Sequence, residues 1–362
     1  MSLLEDQRHV LDQIVETAAA RGVDVLLVAG DIYDRSLPPV EAVRLLDDVI
    51  SRVSSELGIP VIMIGGNHDS GERLDFGSQL LANSGLYIKG SLASDPTPVV
   101  VSDDYGEVAF YSIPYADPVT VRQVFDVEVK SHDEAMGFLC ERIAADNGST
   151  RRSVVLGHCF LAGGEASDSE RPLTIGGIAN VSPEHFGRFS YAALGHLHAP
   201  QSRAADHIRY SGSILKYSFS EANQRKSVTL VDMDGEGNCD IENIALKPRR
   251  DMRVLEAELE HILAAGKDDD ARDDYILVRL LDKHAILDVL GKLRTVYPNV
   301  LQLERPALAQ EGVRRPERDL IHKAELPMVQ DFYRQMTGED LSEAGTAVVS
   351  ELLDQIHKGG ES

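Results

Sequence analysis

The chain has 362 residues, room for two to three domains at roughly 150 residues each, and its 43% apolar and 26% charged residues are the balance of a globular protein. Asp and Glu outnumber Lys and Arg 59 to 36, a net charge of -23 that by itself argues against a general binder of nucleic acid or anionic membranes. No apolar run approaches the roughly 18 residues of a membrane span, the N-terminus lacks the layout of a secretory signal, and three scattered cysteines form neither a disulfide framework nor a Cys-rich zinc site. The expectation is a cytoplasmic α/β protein.

Residues 3–20 carry Leu11, Ile14, Val15 and Ala18 at helical spacing. The apolar run inside 24–31 has the character of a strand buried on both faces. A helix over 39–57 and a second buried strand over 59–66 follow. A crossover helix normally has a strand at each end, so this order reads as a fold whose first strand is missing. Shorter strands are predicted over 86–89, 99–102, 107–113, 153–156, 191–194 and 207–211, with a hairpin over 227–245 turning near Asp234 and Gly237. Residues 1–247 therefore predict two packed sheets with helices outside. Past a boundary near Lys247 and Arg250, residues 251–305 predict a small α+β unit with strands 252–258, 275–281 and 300–305 and a helix marked by Ile286, Val289, Leu290 and Leu293. A charged linker over 306–327 leads to two amphipathic helices in 328–362. Their stripes, Val329/Phe332/Tyr333/Met336 and Val349/Leu352/Leu353/Ile356, suit docking to a partner helix.

Four short strings end predicted strands and present metal-ligand side chains: Gly30-Asp31 with Asp34, Gly66-Asn67-His68-Asp69, Gly157-His158, and Gly195-His196 with His198. Strand ends are where an α/β sheet builds its binding crevice, and a glycine before each polar group lets the backbone turn tightly and approach a ligand. Carboxylate, amide oxygen and imidazole together suit a divalent ion such as manganese, iron or zinc, and a pair of such ions can activate water against a phosphoester. Each string alone is weak, because a Gly-Asp is commonly a turn and a buried His commonly a core residue. All four together are a strong signal.

The ordered set resembles the calcineurin-like metallophosphoesterase superfamily and, within it, the SbcD family of Mre-type DNA repair nucleases. The strings that carry the resemblance are VAGDIYDRSLPP, GGNHDS, GHCF, ALGHLHAPQ and the stretch over 210–232, and it extends over nearly the whole chain. It implies a two-sheet sandwich, a capping domain over 251–305, and manganese-dependent exonuclease and endonuclease action on duplex ends and hairpins. Magnesium is the alternative metal. It also implies two metals, with Asp31 bridging them, Asn67, His158 and His196 completing one site, and His198 serving the other. His68 would contact the phosphate and protonate the leaving oxygen, with Asp34 orienting it through a carboxylate–imidazole hydrogen bond. Lys216, Arg225 and Lys226 are candidate DNA contacts; Tyr217 and Phe219 are read first as core packing, and Arg151-Arg152 and Arg249-Arg250 as solvated surface. The terminal helices would hold an SbcC-like ATPase, in a heterotetramer with two nuclease subunits.

The family's opening Asp-x-His motif is a departure: Asp6, Asp12 and Asp24 are followed two places on by Arg8, Ile14 and Leu26. We expect a start assigned too late rather than a truncation or a metal-deficient paralogue, and one incomplete metal site in the chain as written. A catalytically impaired adaptor and a small-molecule phosphodiesterase or phosphatase are the rival readings. The charge is unevenly spread, at -15 over 1–150, +1 over 151–250 and -9 over 251–362. The segment holding His158, His196, His198 and the stretch over 210–232 is thus the least acidic.

Overall fold

β-Branched and leucine-rich runs become strands in the computed structural model, which describes residues 2–147, 152–171, 173, 179–284 and 286–306, with a few positions between 330 and 352. Strands β1 (Leu26–Ala29), β2 (Val61–Ile64) and β3 (Leu86–Lys89) form a parallel sheet in that order. Alternation along β2 sends Val61 and Met63 to one face and Ile62 and Ile64 to the other. The first pair packs under α1 (Leu4–Arg21) and α2 (Val40–Ile50), against Val15, Ala18, Leu45 and Val49. Helix α2 runs on into a π-helical turn, Ser51–Glu56, so the predicted helix over 39–57 is present with a change of winding. Two single-turn helices, α3 (Gly71–Leu74) and α4 (Ser78–Leu81), precede β3.

The second sheet takes in β4 (Val99–Asp103), β5 (Gly106–Ile113) and β6 (Arg152–His158). Two-residue strands β7 (Phe160–Leu161) and β8 (Asn180–Val181) pair beside it. The sheet is completed by β9 (Tyr191–Gly195), β10 (Gln201–Arg203) and β11 (Ala205–Tyr210), in the order β10-β11-β9-β6-β5-β4. Its four inner strands are parallel and its two edges antiparallel. Helices α5 (Pro118–Phe125) and α6 (His132–Asn147) cover its outer face through Val121, Met136, Leu139 and Ile143. Neither helix is among the predicted elements. In α6 the periodicity is blurred by small residues such as Gly137, where a Cβ would meet the His185 ring.

Ile62 and Ile64 meet Val108, Phe110, Val154, Leu156 and Tyr191 between the two sheets, so the two-sheet sandwich with outer helices is present. The predicted hairpin, β12 (Ser227–Met233) with β13 (Cys239–Ala245), adds Val231 and Ile241 to that layer. The unit after it holds a parallel sheet of β14 (Met252–Ala257), β15 (Tyr275–Leu280) and β16 (Val300–Glu304), with α7 (Leu259–Ala265) and α8 (Val289–Arg294) on its core. It touches the sandwich where the Tyr275 hydroxyl donates to the buried Asp6 of α1 at 2.9 Å. The linker over 307–327 and the stripe residues Val329, Phe332, Met336, Leu353 and Ile356 lie outside the described residues; residues 344–350 are helical. Among the described residues no helix is long and apolar enough to cross a membrane.

Candidate metal centre

Strands β1, β2, β6 and β9 run parallel and end on the same side, so the loops that follow them meet at one edge of the sandwich. There Asp31, His158 and His196 bring ligand atoms within 4.8 Å of one another. The Asn67 amide oxygen lies 2.9 Å from His158 Nε2 and 3.2 Å from His196 Nδ1, and Asp31 Oδ2 is 3.3 Å from His158 Nε2. The structure thus brings together Asp31, Asn67, His158 and His196.

The proton positions follow from what each ring faces. His158 Nδ1 lies 2.9 Å from the Ala29 main-chain oxygen, which can only accept, so Nδ1 carries the proton and Nε2 presents its lone pair. That lone pair points at two oxygens that also offer lone pairs, an arrangement that calls for a cation between them. Burial, then the neighbouring His158, bring the His196 imidazole down to about 3, so it stands neutral as a metal ligand must. In the metal-free chain a proton on His158 Nε2 can take that cation's place: burial opposes the charge on Asp31, yet the hydrogen bond and charge of a protonated His158, followed by the charge of His68, outweigh it and bring the carboxyl down to about 2. The donor set fits a divalent metal ion of borderline character.

Glycine makes the close approach possible. A Cβ on Gly66 would collide with the Asp31 backbone and carboxylate, and one on Gly195 with the Ala29 carbonyl. Asp31 and His196 themselves sit at φ of +48° and +108°, conformations that non-glycine residues hold only when their surroundings enforce them. One enforcing group has no role in the sequence reading. Asp69 accepts the N–H groups of Ile32, Tyr33 and Gly66 at 2.9 to 3.0 Å and so ties the loop after β1 to the loop after β2. The sequence shows Asp69 beside His68, but only the folded loops reveal which donors it serves.

His68 stands next to this cluster, its main-chain N–H donating to Asp31 Oδ1 at 3.1 Å. Its ring departs from expectation. Nδ1 meets the main-chain oxygen of Asp34 at 3.0 Å, whereas the Asp34 carboxylate is 4.0 Å away and paired with Arg35 at 3.1 Å. Asp34 orients His68 through its backbone, because its exposed side chain is drawn to the adjacent guanidinium.

His198 is not among the three clustered side chains. Its Nδ1 faces Ser169 Oγ at 2.8 Å and Glu221 Oε1 at 3.1 Å. Of the three candidate DNA contacts, Lys226 is corrected: its ammonium is buried and donates to Glu221 at 2.6 Å and to three further acceptors, so it faces no solvent. Lys216 is nearly buried and paired with Asp251 at 2.9 Å, while Arg225 is exposed. Tyr217 accepts a hydrogen bond from Gln7 and packs edge-on to the His198 ring. Arg152 is buried against Asp103 rather than solvated, Arg249 pairs with Glu5 and Arg250 with Asp6, and Arg151 lies outside the described residues. The chain's one Asp-x-His triplet, Asp282 to His284, falls in the second unit, where Asp282 accepts the N–H of Leu259 at 2.8 Å.

Residues 4–200 match the family described as calcineurin-like phosphoesterase, and residues 248–337 match the type 5 capsule protein repressor C-terminal domain. A curated relative, the SbcD subunit of the SbcCD nuclease of Staphylococcus epidermidis, is 34% identical over 355 residues, 98% of this chain and 94% of that protein. Among solved structures, a hypothetical protein from Thermus thermophilus is 14% identical with a TM-score of 0.38, covering 67% of this chain and 95% of its own, too loose a superposition to assign a fold.

Proposed function

We propose, from the premise that the chain belongs to the SbcD nuclease subunits of the calcineurin-like phosphoesterases, that the cluster at the strand ends hydrolyses DNA phosphodiesters. The chain is a metal-dependent phosphodiesterase; the proposal concerns its metal, its residues and its substrate. The observation that carries it is the convergence of His158 Nε2, Asn67 Oδ1, Asp31 Oδ2 and His196 Nδ1, two imidazole nitrogens and two oxygens of the types that ligate a divalent ion.

These four residues would hold one divalent ion, Mn2+ in the first instance and Mg2+ as the alternative. When bound, such an ion supplies a water of lowered pKa and offsets charge on the phosphoryl oxygens. A second ion would draw on Asp31 and His198, and it has fewer ligands than the first, so the chain as written binds one ion well and the other weakly. His68 delivers a proton to the leaving oxygen from Nε2, because Nδ1 is engaged by the Asp34 carbonyl. Asp69 keeps the two loops, and hence His68 and Asp31, in mutual register.

Duplex ends and hairpins are the proposed substrates, an SbcC-like ATPase the partner, and the cytoplasm the location. The assembly would hold two nuclease subunits. Exposed Arg225 is the remaining basic candidate for DNA contact, and the near-neutral charge of 151–250 favours approach from that side. A nuclease assay with Mn2+ on hairpin and duplex DNA, with a chelator control, tests the reading. Cleavage of a generic phosphodiester dye with none of DNA would instead support a small-molecule phosphodiesterase.

A further inference from the structure

His198 is held at its main-chain N–H, its carbonyl and its ring Nδ1. Its main-chain N–H donates to Glu170 Oε1 at 2.8 Å, and its carbonyl accepts from Lys226 Nζ at 2.8 Å and from the Ser213 N–H at 3.1 Å. Its ring Nδ1 faces Glu221 Oε1 at 3.1 Å and Ser169 Oγ at 2.8 Å. Glu221 is fully buried, and its other oxygen takes the Lys226 ammonium at 2.6 Å. A buried ion pair of this kind is a poor device for stability, since apolar side chains of similar size commonly do as well. It does fix geometry. Two residues away, His196 sits at φ +108°, a conformation that persists only where neighbours over-determine it.

We propose that Glu221 and Lys226, helped by Glu170, are positioning residues that lock His198 into the tautomer with its proton on Nδ1 and its lone pair on Nε2. The proton count requires it. Ser169 has one hydroxyl proton and gives it to Glu221 Oε1, so towards His198 it can only accept. Glu221, paired with Lys226, is an acceptor as well. Both neighbours of Nδ1 therefore demand an N–H there, and Nε2 is left as the coordinating nitrogen. Without Glu221, the Ser169 proton turns to Nδ1 and the ring flips to the Nε2–H form, which cannot ligate through Nε2. The use of the lock rests on the proposed reading of His198 as a metal ligand; the tautomer itself does not.

The test is a long-range 1H–15N correlation spectrum of the full, metal-free chain with labelled histidine, the His198 signals being identified by their loss in His198→Gln. The wild type should show the Nδ1–H form. The double variant Glu221→Met/Lys226→Met, which swaps the pair for apolar side chains of similar length, should show the Nε2–H form and bind Mn2+ about 10–100-fold more weakly at the site His198 serves. Ser169→Ala should keep the wild-type tautomer, because Glu221 still accepts. An Nε2–H form in the wild type overturns the proposal with no variant needed. So does a double variant that melts at a different temperature with its tautomer unchanged, since the pair would then be structural only. Unchanged Mn2+ binding in His198→Gln overturns the ligand reading, separately from the tautomer result.

Discussion

His158 Nδ1 lies 2.9 Å from the main-chain oxygen of Ala29, so the last residue of one sheet's first strand sets the proton on a ring that belongs to the other sheet. The two halves of the sandwich are joined at the point where the candidate metal ligands meet. Removing that ring should therefore do more than delete one ligand. His158→Ala should lower Mn2+ affinity measured by calorimetry and reduce phosphodiester turnover by about 10²–10³, roughly 3–4 kcal/mol of transition-state stabilisation.

His68 should behave differently. It touches Asp31 only through its main-chain N–H, so His68→Ala should leave Mn2+ affinity unchanged while DNA hydrolysis falls by about 10²–10⁴, the usual range for a lost proton donor. A dye ester with a good leaving group needs less protonation and should lose far less. Equal losses on DNA and dye would take His68 out of the leaving-group step.

Asp69→Ala strips the acceptor from three N–H groups in two loops. A loss of about 2–4 kcal/mol in urea-unfolding stability is expected, together with weaker Mn2+ binding, because the Asp31 loop is no longer tied to the Asn67 loop. An unchanged unfolding midpoint would show that solvent replaces the carboxylate at no cost.

Acid sensitivity of the metal-free protein has a definite sign. The His196 pKa falls from 6.5 to about 3 on folding, by burial first and then by His158. Between those values the unfolded chain binds the extra proton, so stability is complete above pH 6.5 and is lost as pH falls towards 3, at up to about 1.4 kcal/mol per pH unit for this one group. In His196→Gln the fall of melting temperature between pH 6.5 and 4 should be shallower.

The second unit meets the sandwich at a buried hydrogen bond that can be removed cleanly. Tyr275→Phe deletes the hydroxyl that donates to Asp6 at 2.9 Å and leaves that carboxylate only Arg250, at 3.4 Å. About 1–2 kcal/mol of stability should go with it, read from urea unfolding. No change would mean that Arg250 closes in and takes over.

Much of this is legible in the sequence because parallel strands announce themselves as apolar runs and glycine marks where each run must stop. Gly30, Gly66, Gly157 and Gly195 locate the four loops, and the candidate residues Asp31, Asn67, His158 and His196 follow from them. Helix α6 is not legible: its buried face is made largely of His132, Ala135, Gly137 and Cys140 beside Met136, Leu139 and Ile143, so the stripe is only weakly apolar. Side-chain partnership is harder still. Lys226 is a basic residue in a polar stretch, and nothing local distinguishes an ammonium that meets phosphate from one that closes on a buried Glu221. The Asp34–His68 contact joins the expected residues through an unexpected atom, because Arg35, next in sequence, claims the carboxylate.

The most direct test of the metal centre is anomalous diffraction at the manganese edge from crystals grown with Mn2+. The geometry predicts a principal peak bounded by Asp31, Asn67, His158 and His196, absent in His158→Ala. A principal peak elsewhere, or none between these four side chains at saturating Mn2+, would contradict it.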